Sequence, residues 1–252
     1  MDLYLDLLRE ALLDALYDTN KILQYNGVDL EDGFVPEMIE HGSYHPDRAH
    51  TMIGRKRMDN LRYCVEKCLE DGIEGDFIET GAWRGGACIF MRGILKAHGV
   101  EDRTVLVADS FCGMPPFSNI TNMYDKVKNY DLALNLKVDL ETVKSNFKKY
   151  NLLDNQVKFI KGYFEDTIKE ELLKKNYGVE KLAILRLDGD MYSSTICVLD
   201  EAYKMVVKGG FIIVDDYGLP PCRKAVDDFR YNNNITTPMI KIDWIGVFWR
   251  KE

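Results

Sequence analysis

The sequence lacks any run close to the roughly 18 consecutive apolar residues that a membrane-spanning helix needs. Its opening residues mix acidic and apolar side chains, where an export signal would put a basic stretch before an apolar one. A cytoplasmic protein without a membrane span is expected. Basic residues are also in deficit: 33 Lys and Arg stand against 41 Asp and Glu, a formal net charge of -8. Nucleic-acid binding normally needs a concentrated basic face, so a small neutral or cationic partner fits better. The six cysteines, Cys64, Cys68, Cys88, Cys112, Cys197 and Cys222, include no C-x-x-C pair. Neither a zinc site nor a disulfide framework is suggested, and reduced thiols are expected. No internal repeat or low-complexity tract is present.

What the chain does contain is enough apolar residue, 46% of 252 positions, to bury one principal domain with appended helices or a lid. From Leu3 to Leu23 the apolar residues Leu5, Leu8, Leu12, Leu16 and Leu23 recur at amphipathic helical spacing. That helix could pack within the chain or build a homo-oligomer interface. Residues Gly27 to Asp47, with Phe34, Val35, Met38 and Ile39, read as a covering segment, and a second helix is expected from Gly54 to Asp71. Short apolar runs then alternate with helical stretches: Asp76 to Thr80, Thr104 to Ala108, Val157 to Ile160, Leu182 to Leu187 and Phe211 to Val214. Such runs indicate a parallel sheet covered on both faces, and Met239 to Ile242 with Ile245 to Trp249 suggest an antiparallel edge hairpin. The stretch Phe111 to Leu140 interrupts the alternation and offers either an acceptor-binding lid or a surface excursion. The expected division is a helical cover over residues 1–57 and an α/β domain over 58–252.

The acidic residues fall at the ends of the apolar runs. Glu79 ends the first, Asp109 the second, Asp188 the fourth, and Asp215 with Asp216 the fifth. In a parallel sheet these ends share one edge, where open α/β folds bind ligands. Each acid alone could cap the following helix, but clustered carboxylates repel unless cations or donors compensate. Asp188, Asp215 and Asp216 therefore make a candidate oxygen site for Mg²⁺, which would lower the pKa of a bound hydroxyl. Asp190, in the turn Asp188-Gly189-Asp190, is the nearest candidate base; a water-bridged ligand or a helix cap is the alternative. After the first run comes Thr80-Gly81-Ala82-Trp83-Arg84-Gly85-Gly86, whose glycines let backbone pass close to a nucleotide. Trp83 stands where a dinucleotide motif wants its second glycine, which counts against NAD. Asp109 is placed to accept from ribose hydroxyls, and Tyr163 or Phe164 could stack on an adenine or simply pack. His41, His45 and His50 fit structural or rim roles better than catalysis, and His98 fits a helix end.

These motifs, with Ala49-His50-Thr51-Met52-Ile53-Gly54, Asp109-Ser110-Phe111, Leu185-Arg186-Leu187-Asp188-Gly189-Asp190 and Val214-Asp215-Asp216-Tyr217, resemble the macrocin O-methyltransferase family over nearly the whole chain. The resemblance implies a Rossmann-like class I methyltransferase using S-adenosylmethionine and Mg²⁺ on a sugar hydroxyl of an antibiotic. It implies metal ligands at Asp188, Asp215 and Asp216 and a base at Asp190. It implies cofactor contacts at Thr51, Met52, Ile53, Glu79, Thr80, Gly81, Ala82, Trp83, Asp109, Ser110, Phe164 and Asp188, and a mobile N-terminal segment containing Glu31. The sequence departs from the family at Tyr163-Phe164-Glu165-Asp166-Thr167, where Trp-Phe-Lys-Asp-Thr is common, and over Asn129 to Asp139, which leaves the acceptor open. A surface glycan or a phenolic diol of the catechol type is an alternative acceptor. An NAD-dependent oxidoreductase and a non-catalytic scaffold are the more distant readings.

Overall fold

Five of the apolar runs become parallel strands because each is bounded by turn residues and separated from the next by an amphipathic helix. The computed structural model describes residues 1–16, 22–25, 28–29, 36–43, 45–126 and 136–252. The chain begins with α1 (Asp2–Leu12), β1 (Ile22–Tyr25), β2 (Val28–Asp29), α2 (Pro36–His41), β3 (His45–Pro46) and α3 (Gly54–Glu70). It continues with β4 (Asp76–Thr80), α4 (Gly86–Ala97), β5 (Val105–Asp109), α5 (Leu140–Lys149), β6 (Val157–Lys161), α6 (Phe164–Thr167) and α7 (Glu170–Tyr177). It closes with β7 (Leu182–Leu187), α8 (Tyr192–Ala202), β8 (Val206–Val214), α9 (Pro220–Asn232), β9 (Ile240–Lys241) and β10 (Val247–Arg250). Among the described residues no helix is long and apolar enough to cross a membrane.

The main sheet runs β6-β5-β4-β7-β8-β10-β9, parallel from β6 to β8 and antiparallel at the β10 and β9 edge. Strand order reverses between β4 and β7, which makes a crevice at their carboxyl ends. Alternation along the strands divides the core: Phe77, Val107, Ile184 and Ile213 pack with α1, α3 and α4, whereas Ile78, Leu106, Leu185 and Ile212 pack with α8 and α9. A small antiparallel sheet, β2-β1-β3, belongs to the N-terminal part and was not anticipated from the sequence.

Helix α1 ends at Leu12 and does not reach Leu23. Asp14 takes a left-handed φ of 54°, which stops the helix, and Leu16 lies on the surface, 44% exposed. Apolar spacing therefore outlasts the helix, and Leu23 belongs to β1. Helix α3, the five parallel strands and the edge hairpin stand within a few residues of expectation; β8 begins earlier, at Val206.

The strand ends meet closely where β4 leaves the sheet. Gly81 has φ 99°, and a Cβ there would lie 1.6 Å from the Asp188 carbonyl oxygen. Gly81→Ala is expected to cost on the order of 3 kcal/mol through backbone strain and overlap. It should appear in urea unfolding as a lower midpoint at unchanged slope. An unchanged midpoint would show that the two strand ends separate freely.

Candidate active site

Parity along the strands decides what the site contains. Glu79 pairs in register with Arg186, and Arg186 with Ile213, so Glu79, Arg186 and Asp215 project on the same side of the sheet, towards α3 and α4. The fully buried Arg186 guanidinium ion-pairs with Glu79 and Asp215, and its Nη1 lies 2.7 Å from Asp188 Oδ2. Arg57, reaching in from α3, donates to the other Asp215 oxygen and sits 3.0 Å from Asp243 Oδ2. Its Nη2 also donates to the Gly42 carbonyl at 3.1 Å. Two buried guanidiniums therefore answer the carboxylate repulsion that the sequence alone assigned to a metal.

They do not neutralise it. Glu79, Asp188, Asp190, Asp215, Asp216 and Asp243 outnumber Arg57 and Arg186. Burial pushes Glu79 up to about 7 despite Arg186 beside it. Burial and the neighbouring Asp215 raise Asp188 to about 6, and burial with Asp188 and Asp215 raises Asp190 to about 7. Asp216 is held well above the usual carboxylate range by burial and by Asp190. Excess negative charge in one crevice suits a divalent cation. Ligand oxygens of Asp188, Asp215 and Asp216 lie within 4.8 Å of one another, and an all-oxygen set suits Mg²⁺. Asp188 Oδ2 is taken by Arg186 and Asp216 Oδ2 accepts the Asp190 N–H at 3.1 Å, which leaves the second oxygen of Asp188 and of Asp216 outside those bonds, whereas both Asp215 oxygens accept from guanidiniums.

The glycine turn is tied down from two sides. Asp109 Oδ2 accepts the N–H groups of Ala82 at 2.8 Å and Trp83 at 3.3 Å, while Oδ1 accepts from Phe111 at 2.8 Å. Asp109 thus anchors the turn itself, and burial raises its pKa in spite of those donors. From the other side Arg84 donates to the carbonyls of Asp47 and Ala49, both at 2.8 Å, and stacks over Trp83. Gly86 donates to the His50 carbonyl at 2.9 Å; a Cβ at Gly86 would come within 2.4 Å of that oxygen. Close backbone contact therefore explains Gly86 and places Thr51, Met52 and Ile53 against the crevice.

A cavity of about 1110 Å³ opens there. Its wall includes Thr51, Met52, Ile53, Glu79, Gly81, Ala82, Trp83, Asp109, Ser110, Tyr163, Phe164, Asp188, Asp190, Asp215 and Asp216. Of the expected cofactor residues, Thr80 alone is missing from the wall; it is buried, and its hydroxyl bonds the Arg186 carbonyl at 3.3 Å. Met38, Met114, Pro115, Leu136 and Trp244 add apolar groups to the lining, so part of the Phe111 to Leu140 stretch does line the cavity. Glu31 and residues 127–135 of that stretch lie outside the described residues.

His41 lies on the rim, and His98 approaches Glu66 at 3.4 Å on the far end of α4. His50 bonds Tyr150 through Nδ1 at 2.6 Å, and burial lowers its pKa to about 4. All six cysteines are unpaired. Arg57 and Asp243 are site residues that sequence reasoning missed; Arg186 stood in a quoted motif without a role. An arginine inside the apolar run Leu182 to Leu187 was the available signal, because a buried charge demands partners.

The sequence profile described as Macrocin-O-methyltransferase (TylF) matches residues 1–251. The chain is 46% identical to Mycinamicin III 3''-O-methyltransferase of Micromonospora griseorubida, covering 100% of this chain and 97% of that one. It is 44% identical to 8-demethyl-8-(2,3-dimethoxy-alpha-L-rhamnosyl)-tetracenomycin-C 4'-O-methyltransferase of Streptomyces olivaceus, covering 99% and 92%. Among solved structures it superposes on the O-methyltransferase NovP with a TM-score of 0.87 at 42% identity, covering 99% and 98%.

Arg186→Met removes the cation shared by three acids. Breaking such a buried network should cost about 3–5 kcal/mol near pH 8 in metal-free buffer. Of the acids left behind, Glu79 and Asp188 take up protons on folding, since burial holds their pKa values above the ordinary carboxylate range. The deficit should therefore shrink as pH falls from 8 towards 5, through the value of about 7 that Glu79 already shows. Urea unfolding of both proteins at the two pH values checks this; an equal deficit at both would show that Arg186 does not neutralise these acids.

Proposed function

The chain belongs to the macrocin O-methyltransferase family and is an O-methyltransferase, and on that premise we propose that it methylates a sugar hydroxyl of a glycosylated natural product, using S-adenosylmethionine and Mg²⁺. The observation that carries this reading is a carboxylate trio, with Asp190 beside it, on the wall of a cavity of about 1110 Å³. Such a volume exceeds the usual range for one small ligand, which leaves room for cofactor and acceptor together. The S. olivaceus relative is named for a rhamnosyl-bearing tetracenomycin, which supports a glycoside over a free phenolic diol. A cytoplasmic location belongs to the same reading.

Thr51, Met52, Ile53, Glu79, Gly81, Ala82, Trp83, Asp109, Ser110 and Phe164 would hold the cofactor, with Thr80 supporting the turn from beneath. Asp188, Asp215 and Asp216 would hold the metal. Bound there, the two groups supply an electrophilic methyl on a sulfonium and a Lewis acid that lowers the pKa of an alcohol. The chain's own residues do the rest. Asp190 would accept the proton of the acceptor hydroxyl. Arg186 and Arg57 keep Asp215 fixed, and the apolar wall excludes water while it orients the glycoside. Thr51 to Ile53 would close on the methionine end of the cofactor, with residues 1–57 as the cover and residues 58–252 as the transferase domain.

The protein is expected to bind S-adenosylmethionine in calorimetry and to methylate glycosylated acceptors with Mg²⁺ but not after chelation. Turnover of phenolic diols in place of glycosides would replace the sugar acceptor. Asp190→Asn should lower kcat by about 100-fold or more while leaving cofactor affinity nearly unchanged. Full turnover in that variant, measured where chemistry limits the rate, removes Asp190 as the base.

A further inference from the structure

Asp125 lies in the stretch between β5 and α5, in a short 3-10 turn at Met123–Asp125, and its side chain is fully buried. Its two carboxylate oxygens accept the N–H groups of Tyr192 at 2.6 Å and Ser193 at 3.0 Å. These are the first two residues of α8, whose own boundary residue, Met191, makes no side-chain cap. The first turn of a helix leaves N–H groups without internal partners. Asp125 satisfies two of them from 67 and 68 residues away in the chain.

What enters α8 is the turn that carries the site. Asp188-Gly189-Asp190-Met191 ends directly at Tyr192, and Asp190 sits at a left-handed φ of 56°. A non-glycine residue holds that conformation where its surroundings over-determine it. On one side Asp216 takes the Asp190 N–H, and on the other Asp125 takes the two N–H groups after Met191. Neighbouring contacts secure the clamp: Tyr124 packs on Tyr192 with centroids 5.2 Å apart, and the Tyr192 hydroxyl donates to Asp228 at 3.1 Å. Lys224 lies over Tyr124 at 5.2 Å. Asp125 also stands, along the chain, between the two parts of its own segment that reach the cavity wall, Gly113 to Pro115 and Leu136.

We propose that Asp125 is a positioning residue for methyl transfer: by clamping the start of α8 it fixes the Asp188-Gly189-Asp190 turn and fastens the segment after β5 to the cavity wall. This rests on the reading of Asp190 as the group that takes the acceptor proton. It predicts damage confined to the acceptor side, because the glycine turn and Asp109 are held by other bonds.

The test compares Asp125→Ala, which removes both acceptors, with Asp125→Asn, which keeps one. Asp125→Ala should lower kcat about tenfold and raise the acceptor KM while the Kd for S-adenosylmethionine stays within about twofold, and Asn should recover part of the loss. Amide hydrogen exchange at residues 190–193 should be faster in the Ala variant with the remaining core protected as before. Wild-type kcat and KM in the Ala variant would overturn the proposal, as would a loss of cofactor affinity parallel to the loss of kcat, which marks a merely structural role. Should the Ala variant not fold, the Asn variant carries the same comparison. If the wild-type enzyme methylates no glycoside, the acceptor reading fails separately; the clamp is then judged by exchange alone, and equal protection of residues 190–193 in wild type and variant overturns it.

Discussion

A guanidinium in the middle of a parallel sheet is the constraint on which the site depends. Arg186 bonds acids from three strand ends: Glu79 from β4, Asp188 from its own strand and Asp215 from β8. Taking these charges out of water costs several kcal/mol for each ion, and mutual attraction repays it only when the geometry is good. The network is consequently a poor source of net stability and a strict judge of geometry. A register slip of one residue would turn Arg186 to the opposite face, among Ile78, Ile212 and Val214 of the flanking strands. Correct strand order and correct site geometry are thus enforced by one group.

The same network separates what could be read in the sequence from what could not. Acids at the ends of apolar runs were visible, and the parallel sheet brought Glu79, Asp188, Asp215 and Asp216 to one crevice as their positions required. These were local signals of period two plus one topological rule. Arg57 carried no such signal. It lies on the buried face of a helix, 158 residues before Asp215, and only folding shows that this face meets the strand ends. Asp125 was hidden likewise, because a cap supplied across 67 residues leaves no mark on the sequence of the helix it caps. The overlong first helix failed for a different reason: apolar spacing records which residues are buried, whereas helix ends are set by a backbone torsion, here that of Asp14.

Arg57 also changes how the N-terminal cover is understood. Helix α3 is a core helix by packing, with Met58, Leu61 and Val65 buried against the sheet. Through Arg57 it touches both the Gly42 carbonyl of the cover and the Asp215 carboxylate of the crevice. Arg84 and Gly86 make a second pair of ties between the cover and the glycine turn. Each tie runs to a backbone carbonyl, so the bond itself does not depend on a side chain, but at Gly42 a Cβ would come within 2.5 Å of Arg57 Nη2.

This arrangement gives a physical account of how relatives above 40% identity carry names for different acceptors. The acids and arginines at the strand ends are mutually dependent: changing one alters the charge balance of all, and the low dielectric around them enlarges every error. The cavity is also lined by Met38, Met114, Pro115, Leu136 and Trp244, which belong to α2, the segment after β5 and the edge hairpin. On the proposed reading those side chains would act through shape and apolar contact, and a substitution there would change the fit of an acceptor by a methyl group or a ring. On that reading, acceptor choice would depend on the apolar lining and the chemistry on the charges at the strand ends.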